Sequence, residues 1–215
     1  MTKVADRTSP RAERTRTALL GAGLELLSQR PIDAIAIDEV VARAGVGKGS
    51  FFNHFADKHA FARAIGAAVR AELEERITRA NRDQSDPVLR IATGMRLGVD
   101  YTLAEPVRAA VMLRSLEGST MRHNELNHGL RSDIALAAQA GLLRPEAEAS
   151  GLLFWLGLCQ VVMVNVLERQ AGRREAGERL REMAVLGLTG LGIAPDRAAQ
   201  AAAEVERLLL APDPR

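Results

Sequence analysis

Apolar residues recur along this chain at the spacing of helices rather than of strands. Within residues 57–79 they come at steps of four, which predicts one long helix whose inward face carries Phe61, Ile65, Val69, Leu73 and Ile77. Residues 11–29 hold a similar stripe, formed by Leu19, Leu20, Leu24 and Leu27. Runs of β-branched and aromatic residues with a period of two do not occur in the sequence, which therefore predicts an all-α protein.

Prolines and glycines mark the ends of the later helices. Pro87, Pro106, Pro145 and Pro195 suit the start of a helix, where the N–H that proline lacks would have no intrahelical acceptor. Asp86 adds an N-cap before the first of these prolines. The pattern predicts helices at residues 87–104, 106–116, 120–140, 146–170, 173–188 and 195–210, and about nine to ten helices in the whole chain.

The segment from residue 36 to residue 61 predicts two short helices joined by a tight turn. Gly45 stands where a helix ends in a left-handed residue, and Gly47 can cap the next helix. In that second helix Phe51 and Phe55 are four residues apart and would face inward together. The side chains left outward are small, polar, amide, aromatic or cationic, a composition that suits insertion into the major groove of DNA.

The sequence GVGKGSFFNHFADKHAF, residues 45–61, resembles the helix-turn-helix signature of TetR-type transcriptional regulators. The resemblance implies DNA contacts from the second helix and from the start of the next, at Lys48, Gly49, Ser50, Phe52, Asn53, His54 and Lys58. One position departs from the family pattern. Ala36 stands where the family usually has Thr or Ser, and alanine can neither cap the helix that follows it nor contact a phosphate through its side chain.

The same resemblance implies a division of the chain by role. Residues 1–10 would be a disordered basic arm, residues 11–56 a three-helix DNA-binding domain and residues 57–80 a connecting helix. Residues 81–211 would form a larger helical domain that binds an effector and dimerises. The net charge of the whole chain is only +2 and does not by itself predict nucleic-acid binding.

The predicted helix at residues 146–170 is apolar almost all round. Such a helix must be covered on every side, which predicts a homodimer built with the helix at residues 173–188. The residues expected at the interface are Leu152, Leu156, Cys159, Met163, Leu180, Met183 and Ala184. A membrane span is the alternative, but the apolar run at residues 151–167 is short for one and Gln160 and Asn165 interrupt it.

Other features of the sequence favour a soluble protein of the cytoplasm. Cys159 is the single cysteine, which fits a reducing compartment, and residues 1–16 lack the apolar stretch of a signal peptide. No catalytic motif is present, so the sequence predicts neither an enzyme nor a cofactor. A metal site is not predicted either, because His123 and His128 are five residues apart and do not share a helix face.

Polar residues in the later helices have two interpretations. Lining of an effector pocket is one, and its candidates are Tyr101, His123, Asn127, Trp155 and Gln160. Satisfied polar groups within an ordinary core explain the same residues equally well. The resemblance to TetR-type regulators implies a dimeric regulator of a palindromic operator, most commonly a repressor that a small, mostly apolar effector releases; an activator is the other arrangement. The alternative is an all-α ligand-binding protein or enzyme whose helix-turn-helix is only structural.

Overall fold

The computed structural model describes residues 9–114 and 124–212. All regular structure in these residues is helical, which confirms the predicted fold class. Two 3-10 turns, Ile32–Ala34 and Glu125–Asn127, accompany the α-helices. The α-helices of the described residues are α1 Pro10–Gln29, α2 Ile37–Ala44, α3 Lys48–His54, α4 Lys58–Ala80, α5 Pro87–Ala104, α6 Pro106–Arg114, α7 His128–Gln139, α8 Pro145–Arg169, α9 Arg173–Leu191 and α10 Pro195–Leu210.

Most helices begin and end where the local signals predict. Proline is at the first turn of α1, α5, α8 and α10. Asp86 caps α5, since its Oδ1 accepts a hydrogen bond from the Val88 N–H at 2.9 Å. Asp57 caps α4 in the same way, with the Ala60 N–H 2.7 Å from its carboxylate. This bond lowers the pKa of Asp57 below its usual range.

Two helix boundaries differ from the prediction. The helix expected from about residue 120 has its α-helical start only at His128, because a 3-10 turn capped by Asn124 occupies the residues just before it. Residues 120–123 lie outside the described part of the chain. The helix expected to end at residue 188 continues to Leu191 and ends at Gly192, whose φ of 108° only glycine adopts easily.

The chain divides into two compact units, Met1–Ala68 and Val69–Arg215, and the boundary falls within α4. In the first unit, here called the head, α1, α2 and α3 pack together around a cluster of aromatic rings. The ring of Phe51 is 5.5 Å from that of Phe55 and 5.1 Å from that of Phe61. All three side chains are buried, so the predicted inward face of α3 is confirmed.

The second unit, here called the body, has α5 at its centre. This helix packs against α7, α8, α9 and α10, and its core side chains are mainly aliphatic. Of the predicted inward stripe of α4, Val69 and Leu73 are buried in this unit and Ile77 is half-buried. Helix α8 is long and apolar enough to cross a membrane, but core helices of soluble proteins meet the same criterion.

Candidate nucleic-acid interface and effector cavity

A left-handed glycine sets the turn of the head. Gly45 ends α2 with a φ of 66°, and its N–H donates to the Ala42 carbonyl at 3.2 Å. The next N–H, of Val46, donates to the Val41 carbonyl at 3.0 Å, which closes the turn in the manner of a Schellman motif. Gly47 then caps α3, and this short link places α3 directly after α2.

The outward face of α3 carries the side chains that the sequence predicts for it. Phe52 is 51% exposed although its neighbour Phe51 is fully buried. Lys48, Gly49 and Asn53 are also exposed, while Ser50 and His54 are half-buried. This helix therefore presents a cation, an aromatic ring and an amide to solvent, groups that contact phosphates, sugars and base edges in protein–DNA complexes.

Two lysines at this surface bind to aspartate residues of the head. Lys48 Nζ lies 2.8 Å from Asp38 Oδ1 and 3.1 Å from Asp38 Oδ2. Lys58, half-buried at the start of α4, donates to the Asp33 carbonyl at 3.0 Å. The exposed ion pair of Lys48 with Asp38 contributes about 0–1 kcal/mol, so breaking it costs little.

Helix α2 has no side-chain hydrogen bond at its N-cap, as Ala36 predicts. Its first turn instead contains Asp38 and Glu39, whose charges complement the positive end of the helix dipole. Glu39 also pairs with Arg30. The first turn of α2 is thus stabilised by the charges of these carboxylates and not by a hydroxyl cap.

The body contains a cavity between α4, α5, α6, α7 and α8. About 90 Å³ of it is open to the centres of water-sized molecules. Its wall is mainly apolar, with contributions from Leu73, Ile77, Ile91, Met112, Leu113, Leu130, Leu156 and Met163. Two of the predicted pocket residues, Trp155 and Gln160, line this cavity.

The other predicted pocket residues lie elsewhere. Tyr101 is buried, and its hydroxyl accepts a hydrogen bond from Arg108 Nε at 3.0 Å. Burial raises the pKa of this phenol. Asn127 is buried too and accepts a hydrogen bond from Arg70. His123 lies outside the described residues. Tyr101 and Asn127 thus act as satisfied core groups, the second interpretation that the sequence left open.

Four charged residues in the cavity wall were not predicted from the sequence. Arg70 lies 3.5 Å from Glu74, and Arg90 Nε lies 2.5 Å from Asp133. Burial raises the pKa of both carboxyl groups, and the paired arginines oppose that shift. Arg70 and Glu74 lie on the same face of α4 as Leu73 and Ile77. The helical spacing of these residues in the sequence could therefore have predicted that this ion pair faces inward.

The predicted dimer residues divide into buried and partly exposed ones. Leu180 and Ala184 have no exposed surface. The cavity is lined by Leu156, Cys159 and Met163. Leu152 and Met183 are half-buried. The exposed apolar surface of α8 and α9, here called the apolar face, lies on other residues of the same helices. Its members are Leu153, Phe154, Val161, Val164 and Leu186.

Comparison with known proteins links both units to one fold. Residues 19–65 match the model of the bacterial regulatory proteins of the tetR family. No curated protein matches the chain. Among solved structures, RolR in complex with resorcinol is similar over 90% of this chain and 95% of its own, with 18% identity and a TM-score of 0.62.

Two further structures show the same architecture. A TetR-family regulator from Shewanella sp. PV-4 is 14% identical over 84% of this chain and 99% of its own, with a TM-score of 0.69. AibR, crystallised with isovaleryl coenzyme A and operator DNA, is 18% identical over 84% of this chain and 98% of its own, with a TM-score of 0.56. At these identities the likeness establishes the fold.

Proposed function

We propose that this chain, whose residues 19–65 match the tetR family model and whose fold is similar to that of a TetR-family regulator, is a dimeric transcription regulator. It represses by binding a palindromic operator and is released by a small, mostly apolar effector. The observation that carries the proposal is the exposed face of α3, where Lys48, Phe52 and Asn53 project from a helix that is anchored by the buried Phe51.

The roles on this face follow from the chemistry of the side chains. Asn53 can make two hydrogen bonds to adenine in the major groove, and Phe52 can pack on a thymine methyl group or a sugar. Lys48 and Lys58 bind phosphates after exchanging their carboxylate or carbonyl partners. Gly49 lets the backbone of α3 approach the DNA, and the half-buried Ser50 and His54 complete the contact surface at its edges.

The apolar face supports the homodimer. Leu153, Phe154, Val161 and Val164 recur on one side of α8, and Val161 is 60% exposed. Leu186 extends the surface on α9, with 65% of its area exposed. Contiguous apolar surface of this kind marks an interface in a soluble protein. A second copy of the chain related by a twofold axis would cover it with the same helices.

The cavity supports control by a ligand. Its wall is mainly apolar with a few polar groups, the composition of small-molecule sites. RolR and AibR were crystallised with resorcinol and isovaleryl coenzyme A respectively, so this fold accommodates such ligands. Effector and operator would oppose each other's binding by the same factor, because the coupling of two binding sites is reciprocal.

We infer no catalytic role and a cytoplasmic location. The charged residues at the cavity are engaged with one another, and within the described residues no three potential ligands cluster to hold a metal ion. The cytoplasmic location follows from the proposed role, because a regulator must reach the chromosome. The apolar composition of α8 is explained by the partner subunit that would cover this helix in the dimer.

A mobility-shift experiment with fragments of the protein's own genome tests the proposal. Wild-type protein is expected to retard a small set of fragments that share a palindrome, at a salt concentration where most fragments stay free. The double variant Lys48→Ala, Asn53→Ala should fold normally and lose this selection, because both side chains are exposed. Equal retardation by the two proteins, or none by either, would favour the alternative in which the helix-turn-helix is only structural.

A further inference from the structure

Glu74 contributes an incompletely paired carboxylate to the cavity. It lines the cavity from α4, and its side chain is 25% exposed. Its ion-pair partner is Arg70, whose Nη2 lies 3.5 Å from Glu74 Oε1, beyond the roughly 2.7–2.9 Å of a charge-assisted hydrogen bond. The same nitrogen donates to Asn127 Oδ1. Glu74 therefore keeps the capacity to accept a hydrogen bond from another group.

The second carboxylate of the wall, that of Asp133, is more completely paired. Arg90 Nε lies 2.5 Å from Asp133 Oδ1, and the side chain of Asp133 is only 4% exposed. Arg90 also donates to the carbonyls of Asn81 and Gln84, at 2.7 and 3.1 Å, which fix the guanidinium in this position. A ligand that enters the cavity therefore finds an accessible carboxylate at Glu74 rather than at Asp133.

The carboxylate of Glu74 lies close to α8, on which further residues of the wall are found. Cys159 of α8 lines the same cavity. Burial raises the pKa of its thiol, and the negative charge of Glu74 adds to this shift, which requires the two groups to be near each other. Gln160, the next residue of α8, is half-buried and lines the cavity too. A ligand held between α4 and α8 can therefore reach the carboxylate and the amide together.

The charges of the wall favour a neutral ligand. Among the described residues the charged side chains of the wall are Arg70, Glu74, Arg90 and Asp133, two of each sign, so their charges sum to zero. An ammonium group at Glu74 would lie beside Arg70, and an anionic ligand would be repelled by Glu74 itself. Either ion would bring an uncompensated charge into a mainly apolar cavity, which is strongly unfavourable. Because a carboxylate only accepts hydrogen bonds, the neutral group that complements Glu74 is a donor such as a hydroxyl.

The size of the cavity sets an upper limit on the ligand. About 90 Å³ is open to the centres of water-sized molecules, and one water needs roughly 10–15 Å³ of such space, so roughly six to nine water-sized groups fit. This is the size of one aromatic ring with a short substituent. Gly94 lines the same space, and a Cβ added there would meet no atom within 4 Å. A larger side chain at this position has room to occupy the cavity.

From these observations we propose that the cavity selects a neutral ligand of single-ring size through one hydroxyl group, which donates a hydrogen bond to the carboxylate of Glu74. Gln160, whose amide group can both donate and accept, supplies a second polar contact. The inference rests on the proposed function, because it names the chemical class of the effector for that cavity.

Three probes of nearly identical shape test the proposal by calorimetry on the full chain. Each contains a benzyl group, which carries a hydroxyl in benzyl alcohol, a methyl in ethylbenzene and an ammonium in benzylamine. We expect benzyl alcohol to bind the wild-type protein at least tenfold more tightly than benzylamine. Binding of benzylamine that is as tight or tighter, or no binding of benzyl alcohol, would overturn the proposal.

Variants of α4 locate the hydrogen bond. Ethylbenzene leaves water more readily than benzyl alcohol, so each of these probes is compared between proteins and not with the other probe. Glu74→Met removes the acceptor at similar size and should weaken benzyl alcohol by about tenfold or more, while ethylbenzene should change by less than about threefold. Glu75→Met removes an exposed carboxylate from the same helix outside the cavity wall and should change neither affinity.

The outcomes of these variants decide for or against Glu74. Equal effects of Glu74→Met on benzyl alcohol and ethylbenzene contradict the proposal. If that variant fails to fold, Glu74→Gln keeps the shape of the side chain without its charge, and it too should weaken benzyl alcohol more than ethylbenzene. Gly94→Leu fills the cavity and should abolish the binding of both probes; undiminished binding would place the ligand elsewhere and overturn the proposal.

Operator binding is measured separately in the same samples. If benzyl alcohol binds as described and the operator affinity does not fall, the effector role of the cavity fails while the ligand class stands. If the operator is released by ligands that show no preference for a hydroxyl, the ligand class fails while the proposed function stands.

Discussion

The head and the body of this protein place their candidate functional side chains on opposite sides of their helices. In the head, aromatic rings fill the interior and the candidate DNA contacts face solvent. In the body, the candidate ligand contacts face inward, from a wall built by five helices. The comparison shows that an outward site can be encoded in one short segment, whereas an inward site is assembled from residues that are distant in sequence.

The largest effect is expected from separating the two faces of α3. Phe51→Ala removes a fully buried ring and should lower the free energy of unfolding of the head by about 3–5 kcal/mol, as measured by denaturant titration. Phe52→Ala is the matched control. It should change the free energy of unfolding by less than about 0.5 kcal/mol and should weaken operator binding. Equal loss of stability in the two variants would show that α3 has no distinct inner and outer face.

This contrast explains why the head could be predicted. Gly45, Phe51 and Phe55 lie within eleven residues, and each has a local physical signal: a left-handed turn for the glycine and a four-residue step for the two rings. Once Phe51 and Phe55 are assigned to the interior, the remaining positions of α3 are the ones expected to face outward. The acidic partners of Lys48 and Lys58 were not foreseen, because Asp38 and Asp33 reach them from other parts of the head.

The body could be predicted as a set of helices but not as a site. Periodicity locates α8 and α9, yet it does not say which apolar residues face the protomer's own core. Leu180 and Ala184 turn inward, whereas Leu186 remains exposed on the same helix. Tertiary packing also decides that Trp155 reaches the cavity and Tyr101 does not.

The next largest effect concerns the apolar face. Leu186→Arg puts a charge on this exposed surface and should yield a folded monomer on a sizing column. The affinity for a full palindrome should fall by about 100-fold or more, because the second half-site no longer binds as an intramolecular event. Val107→Arg on α6 introduces the same charge at another exposed apolar residue and should leave the dimer intact.

A charge at a buried position of α9 tests the same interface. Leu180→Arg puts the charge into the core of the protomer and should prevent folding rather than dissociate a folded dimer. A folded, monomeric Leu180→Arg, or a Leu186→Arg that remains dimeric with unchanged operator affinity, would show that the apolar face is not the interface.

A smaller effect is expected at Cys159. Burial, with a contribution from Glu74, raises the pKa of this thiol to about 12. At pH 8–9 the thiolate fraction is then roughly 1,000-fold below that of a free cysteine, and the greater nucleophilicity of a basic thiolate restores only part of the rate. Labelling with iodoacetamide should be about 30-fold slower than in urea and should rise with pH without a plateau below pH 10. A plateau near pH 8–9 would contradict the raised pKa.

The smallest effect belongs to Lys58. Replacing it by alanine removes one phosphate contact from each subunit of the proposed dimer, so binding to all DNA sequences should weaken about equally and the salt dependence should flatten by roughly two units of slope. Arg174→Ala is the control, since this exposed cation lies on α9 of the body and should leave the slope unchanged. An unchanged slope for Lys58→Ala would mean that Lys58 keeps its bond to Asp33 in the complex.

Selection of operator sequences from a random DNA pool tests the central claim most directly. Wild-type protein and the Asn53→Ala variant are taken through the same rounds, and the enriched sequences are compared position by position. Both proteins are expected to enrich a palindrome, with the preference relaxed by about 1–3 kcal/mol at one symmetry-related position of each half-site in the variant. Identical preferences at every position, or no enriched palindrome with the wild-type protein, would contradict the claim that the outward face of α3 reads DNA.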